Sequence, residues 1–151
     1  EKPPLIVLVD TTVWSLALHR THAPDRNRGV IRELSELVEE GRASLIGPIR
    51  QEILSGLPDS KSFERVREHL ADFDDLEIVA RDYEAAAIAY NICRRKGVQG
   101  SHIDFLICAV ASRCVLPIFT TDKDFINYAR FLDIQLYQPR EGGASKFEHR
   151  N

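Results

Sequence analysis

Five consecutive apolar residues, Leu5-Ile6-Val7-Leu8-Val9, run into a carboxylate at Asp10. The run is short, rich in β-branched residues and unbroken by polar positions, so it reads as a strand with both faces buried. A strand of that kind needs helices on both sides of its sheet, and the rest of the chain supplies them. Helical spacing covers residues 12–19 and then 29–40, where Val30, Ile31, Leu34, Leu37 and Val38 share a face and Gly41 ends the element. Between these two helices, residues 21–28 are polar, with Pro24 as an expected helix start. A strand over 43–46 precedes a helix opened by Pro48 and carrying Glu52, Ile53 and Leu57.

Ser60 is read as the cap of a helix to about 73, and residues 76–80 as a strand. Asp82 is read as the cap of an Ala-rich helix stopped by Gly97. Ser101-His-Ile-Asp104 has the form of a capping box opening a helix to about 115. A strand over 117–120, a short helix from Asp122 to about 130 and a strand over 134–137 complete the pattern. Strands alternating with helices predict an α/β fold, a three-layer sandwich around a mostly parallel sheet of about five strands. With 151 residues the expectation is one domain over 1–138 and a polar, loosely attached tail over 139–151.

Composition mainly excludes. Hydrophobic residues are 44% and charged residues 28%, and no apolar run approaches the roughly 18 residues of a membrane span. Residues 1–9 carry no basic n-region or small-residue cleavage site, so they are not read as a signal peptide. Cys108 and Cys114 fall in one predicted helix about 9 Å apart along its axis, beyond the roughly 7 Å a disulfide tolerates. With Cys93 they make an odd count without a Cys-x-x-Cys pair. The expectation is reduced, buried thiols in a cytoplasmic protein. A net charge of −3 and a pI near 6.0 mean that any nucleic acid must be held by a local basic patch or by bound cations.

The acids point to chemistry. Asp10 ends the first strand, Asp122 follows the strand over 117–120, and Asp104 and Glu52 lie near helix starts. Open parallel sheets bind ligands beyond the carboxyl ends of their strands, so these four carboxylates are expected to meet there. Unpartnered, they would raise one another's pKa. A hard divalent cation such as Mg²⁺ resolves that repulsion, favours carboxylate oxygens and bridges to phosphate.

The motifs Leu8-Val-Asp10-Thr-Thr-Val-Trp14, Pro48-x-x-x-Glu52-Ile-Leu-x-Gly56, His102-x-Asp104-x-Leu-Ile and Thr120-Thr-Asp122-Lys-Asp124-Phe125 resemble, in order, those of the PIN-domain ribonucleases. They look most like the VapC toxin branch, over about residues 5–137. The resemblance implies a PIN-like fold and an endoribonuclease whose quartet Asp10, Glu52, Asp104 and Asp122 holds Mg²⁺ or Mn²⁺. Asp124 matches a further acid of some members, and Thr12 and Thr121 match hydroxyls that orient the ligands. The resemblance also implies an RNA target such as tRNA or ribosomal RNA, a VapB-like antitoxin that blocks the cleft, and a homodimer.

Each residue also has a plainer reading. Asp10 and Asp122 serve as helix caps, Asp104 as half of a capping box, and Glu52 as a surface charge. Trp14 is expected in the core, and His102 exposed to solvent. Arg94-Arg95-Lys96 either answers the helix dipole or contacts phosphate near Asp104. Arg20, His22, Arg26 and Arg28 form a second basic stretch that solvation alone explains. Two rival classes are a non-catalytic PIN-like binding module and a phosphorylation receiver. The module would lose the acids that are intact here. The receiver needs an Asp at a middle strand end, where Arg81-Asp82 opens a helix instead.

Overall fold

In the computed structural model, which describes residues 5–19 and 27–141, the opening run forms β1 (Val7–Val9) at the centre of a parallel sheet. The other elements are α1 (Thr11–Leu18), α2 (Arg28–Glu39), β2 (Ala43–Ser44), α3 (Gly47–Ser55), α4 (Ser60–Leu70), α5 (Ala80–Arg95), α6 (His102–Cys114), β3 (Ile118–Phe119) and α7 (Asp124–Ala129). Strand order is β2-β1-β3. Leu8 lies beside Ser44 on one side and Ile118 on the other, and Val9 pairs with Phe119. Successive strand side chains point to opposite faces, yet Val7, Leu8 and Val9 are all fully buried, so helices cover both faces.

About five strands were expected, and three form among the described residues. Residues 76–80 give the sheet one bond, from the Leu76 amide to the Leu45 carbonyl at 2.9 Å. The chain then turns into α5 early, because Asp82 accepts from the Val79 amide at 2.9 Å. Asp82 is therefore the third helical residue, not the cap. Residues 134–137 run beside β3 for a single parallel bridge, Ile118 to Leu136. The cap of α4 is Asp59, which accepts from the Ser62 amide at 2.9 Å, one residue before the expected Ser60. Pro24 and the rest of residues 20–26 lie outside the described residues.

Trp14 belongs to the core, as expected. It is 2% exposed, donates from Nε1 to the Val9 carbonyl at 3.0 Å and meets Phe73 edge to face. Cys93 and Cys108 are buried thiols, whereas Cys114 is only half-buried. Two buried acids are neutralised in place. Asp82 takes a forked grip from Arg113 at 2.7 and 2.9 Å, which ties the start of α5 to the end of α6. Arg113 also reaches the Glu77 carbonyl.

Glu33, 2% exposed on α2, is held by the side chain and amide of Arg140 and by the Tyr137 hydroxyl at 3.3 Å. Arg140 bonds Glu40 as well, at 2.8 Å through each terminal nitrogen. A tail loosely attached from Pro139 was expected, but the chain is anchored to α2 through residue 140, and residues 142–151 lie outside the described residues. Arg140→Ala leaves Glu33 buried with a weaker partner. Amide exchange in α2 and around residues 136–140 is expected to accelerate together. Unchanged exchange there would show that the clamp anchors nothing. No helix among the described residues is long and apolar enough to cross a membrane.

Candidate active site

The parallel register brings the ends of β1 and β3 side by side. The Asp10 amide donates to the Phe119 carbonyl at 2.8 Å, which sets Asp10 next to Thr120. Asp10 is the N-cap residue of α1, but its side chain makes no capping hydrogen bond. Its Oδ2 instead accepts from the hydroxyls of Thr120 at 2.7 Å and Thr12 at 3.0 Å. The plain reading of Asp10 as a helix cap therefore gives way to a carboxylate held across the sheet end. It is 4% exposed, and burial, the largest cause, pushes its pKa up against the pull of these hydroxyls, with the Asp122 charge adding to the rise.

Asp104 sits in the first turn of α6, where its amide donates to the Ser101 hydroxyl at 3.0 Å. The reciprocal half of the expected capping box is taken by another partner. Asp104 Oδ2 accepts from the Tyr128 hydroxyl at 2.7 Å. Burial raises its pKa as well, and the charges of Asp10 and Asp122 push the same way. The charge of Asp122 thus bears on both Asp10 and Asp104, and that of Asp10 on Asp104.

Asp122 donates from its amide to the Thr120 hydroxyl at 3.0 Å, and its Oδ1 accepts from the Asp124 amide at 2.9 Å. Glu52, exposed on α3, is tied to Thr11, the residue after Asp10, whose hydroxyl donates to Oε1 at 2.7 Å. Each of the four carboxylates thus has an oxygen engaged by a protein donor.

Thr12 orients Asp10, while Thr121 contributes its amide, which donates to the Thr12 hydroxyl at 3.1 Å. The hydroxyl on Asp10 from the β3 side is that of Thr120, which sequence reasoning passed over. It also missed Tyr128, fully buried on α7 against Phe105 and Phe125. One signal for Tyr128 was present in Gly100, where a Cβ would land 2.2 Å from the Tyr128 hydroxyl oxygen. Arg94 lies over the Tyr90 ring and bonds Asn91, and Arg95 and Lys96 are exposed beside it. Of the second basic stretch, Arg20, His22 and Arg26 lie outside the described residues, and Arg28 opens α2.

Among the described residues, no three His, Cys, Asp or Glu side chains close into a ready metal cage. The donor set still fits a hydrated Mg²⁺ or Mn²⁺. Such ions take oxygen ligands, bind through one or two carboxylates and keep several waters. Soft or nitrogen-preferring metals find nothing suitable here, since the donors around the space are carboxylates and hydroxyls.

The PIN domain family matches residues 7–131. No curated protein matches the chain in sequence. Among solved structures, FitAcB from Neisseria gonorrhoeae is similar with a TM-score of 0.69 and 22% identity, over 89% of this chain and 98% of that one. VapBC2 from Rickettsia felis, bound to a DNA fragment from its promoter, is similar with a TM-score of 0.67 and 14% identity, over 88% and 98%. A toxin–antitoxin complex from Klebsiella pneumoniae gives 0.61 and 19%, over 90% and 99%. Likeness at these identities speaks for a shared fold.

Proposed function

Because the chain belongs to the PIN domain family, we propose that it is a Mg²⁺- or Mn²⁺-dependent endoribonuclease, the toxin of a VapC-type toxin–antitoxin pair. The observation that supports this reading is the Thr120 hydroxyl, which bonds Asp10 Oδ2 at 2.7 Å and accepts from the Asp122 amide at 3.0 Å, with the charges of Asp10 and Asp122 adding to the rise in the Asp104 pKa. Such a cluster is unfavourable by itself and becomes favourable around a divalent cation.

Asp10, Asp104, Asp122 and Glu52 would hold the ion. Bound there, it supplies Lewis acidity toward a phosphodiester and toward the attacking water. The chain's own residues fix the ligands in advance. Thr12 and Thr120 hold one oxygen of Asp10, Tyr128 one of Asp104, the Asp124 amide one of Asp122, and Thr11 one of Glu52. Preorganisation of this kind means that little rearrangement accompanies the reaction. Asp124 touches Asp122 through its amide, and its carboxylate would serve as an occasional further ligand. Arg94, Arg95 and Lys96, exposed at the end of α5, would meet RNA phosphates.

The similar structures include VapBC2 and a toxin–antitoxin complex. By analogy with them, a VapB-like antitoxin would bind the chain, and the resemblance to VapC toxins suggests that it covers the cleft and that the active form is a cytoplasmic homodimer. The resemblance to VapC toxins suggests tRNA or ribosomal RNA as the target, with 5′-phosphate and 3′-hydroxyl ends on the products. Total RNA incubated with the chain is expected to yield discrete fragments in Mg²⁺ or Mn²⁺ and none in EDTA. Cleavage that persists in EDTA, or a chain that takes up no Mn²⁺ in a titration, would overturn the metal-dependent reading.

A further inference from the structure

Away from the acids, one edge of α5 and the start of α6 carry an aromatic surface that cleavage itself does not use. Tyr90 and His102 stack nearly parallel, with centroids 5.0 Å apart and planes 16° from one another. The Arg94 guanidinium lies 5.4 Å from the Tyr90 ring centroid. Phe105 meets Tyr90 edge to face from inside, at 5.5 Å and 75°, and so fixes the ring from the core side. Two helical turns from Tyr90 along α5, Tyr83 stands 57% exposed. Tyr83 and His102 wall a notch of about 220 Å³ together with Ala86, Ala87, Ile103 and Leu106. Ala86 and Leu106 are buried, which makes a floor of aliphatic groups.

On α5 the positions 83, 87, 90 and 94 recur at intervals of four, three and four, so they share one stripe. That stripe grades from an aromatic end at Tyr83 to a cationic end at Arg94, Arg95 and Lys96. Its ligand is expected to offer a flat apolar ring beside negative charge. The notch is below the roughly 300 Å³ of an ordinary small-molecule pocket, which suits a single ring system. Aromatic walls without converging hydrogen-bond donors hold such a ring by its face and do not read its identity.

We propose that this notch is a nucleobase slot, in which an unpaired base of the RNA stacks against His102 and Tyr83 while its backbone runs toward Arg94. The inference rests on the RNA-cleaving reading and adds to it a substrate subsite. His102 and Asp104 share the first turn of α6 two positions apart, so the slot and the acids lie at one end of that helix on different faces. A chain of net charge −3 gains affinity for RNA through stacking where general positive charge is lacking.

Tyr83 and His102 are exposed, so replacing either leaves the core intact. The test is binding of a labelled ten-nucleotide mixed-sequence RNA in EDTA, where no cleavage is expected, beside binding of inorganic polyphosphate. Tyr83→Ala and His102→Ala are each expected to weaken RNA binding by about 5- to 100-fold, leaving polyphosphate binding and the salt dependence unchanged. Arg94→Ala is expected to do the reverse, reducing the salt dependence for both ligands. RNA affinity equal to the parent chain, or an equal loss for RNA and polyphosphate, would overturn the slot. So would a change in sedimentation without a change in RNA affinity, because a second copy of the chain would then be the occupant. A parent chain that binds no RNA here and cuts none with Mn²⁺ would remove the underlying reading too, whereas cutting without any effect of these variants would remove the slot alone.

Discussion

Asp10→Asn is expected to lower RNA cleavage by about a thousandfold or more and, in EDTA, to raise the thermal midpoint at neutral pH. The two effects have one cause. Asp10 is buried beside Asp122 and Asp104, and its charged form is disfavoured by burial first. Asparagine keeps an oxygen for the Thr12 and Thr120 hydroxyls and removes the charge.

The pH dependence follows in sign. A carboxyl whose pKa is higher in the folded chain than its ordinary value near 3.8 binds its proton more tightly when folded. The stability this contributes is full below the unfolded value and is lost as pH rises through the folded one. Asp10 and Asp104 both behave this way, so the metal-free chain is expected to gain stability on going from pH 7 toward pH 5. Asp82, held down first by Arg113, and Glu33, where Arg140 outweighs burial, run oppositely. Their contribution is lost only as pH falls below the ordinary carboxylate range. In Asp10→Asn the gain between pH 7 and 5 is expected to shrink, leaving the Asp104 part. Calorimetry in EDTA across that range measures it, and a variant less stable than wild type at pH 7 would contradict the account.

Gly100→Ala is expected to damage stability and activity together. The added methyl would sit 2.2 Å from the Tyr128 hydroxyl oxygen, 2.7 Å from Cζ and 2.9 Å from Cε1. A surface tyrosine would swing aside, but this one is fully buried, with Phe105 at 4.9 Å and Phe125 at 5.1 Å between ring centroids. Overpacking of this kind costs about 1–3 kcal/mol. The movement also breaks the 2.7 Å bond to Asp104. Tyr128→Phe separates the two consequences, since it keeps the ring and removes only the donor. Metal affinity and cleavage in that variant are expected to fall about 10- to 100-fold, and added Mn²⁺ is expected to recover part of the rate. Wild-type Mn²⁺ binding by Gly100→Ala would show that Tyr128 does not act through Asp104.

Local pattern was legible wherever the cause was local. The unbroken run before Asp10 announced a central strand, Gly41 and Gly97 marked helix ends with φ of +69° and +77°, and Ser101 capped α6 as its spacing predicted. The partners of the acids were not legible, because they come from tertiary contacts. Thr120 reaches Asp10 across 110 positions and Tyr128 reaches Asp104 across 24, and neither spacing has a period. Gly100 had no sequence reading of its own, and the Tyr128 ring explains it. The extra strands over 76–80 and 134–137 were overread, since apolar content resembles a strand even where the Asp82 carboxylate starts a helix or a single bridge ends the ladder. The anchor at Arg140 was missed because it depends on Glu33 and Glu40, one face of a distant helix.

The register that puts Leu8 beside Ile118 also governs when the site can exist during synthesis. A growing chain exposes Asp10 early, but the Thr120 hydroxyl that holds it arrives 110 residues later. At a translation rate of about 5–20 residues per second, that interval is roughly 5–20 s. Pairing of such distant segments is also slow, because the loop must close before any contact rewards it. An incomplete chain therefore carries the first acid without its partners until β3 has emerged and docked.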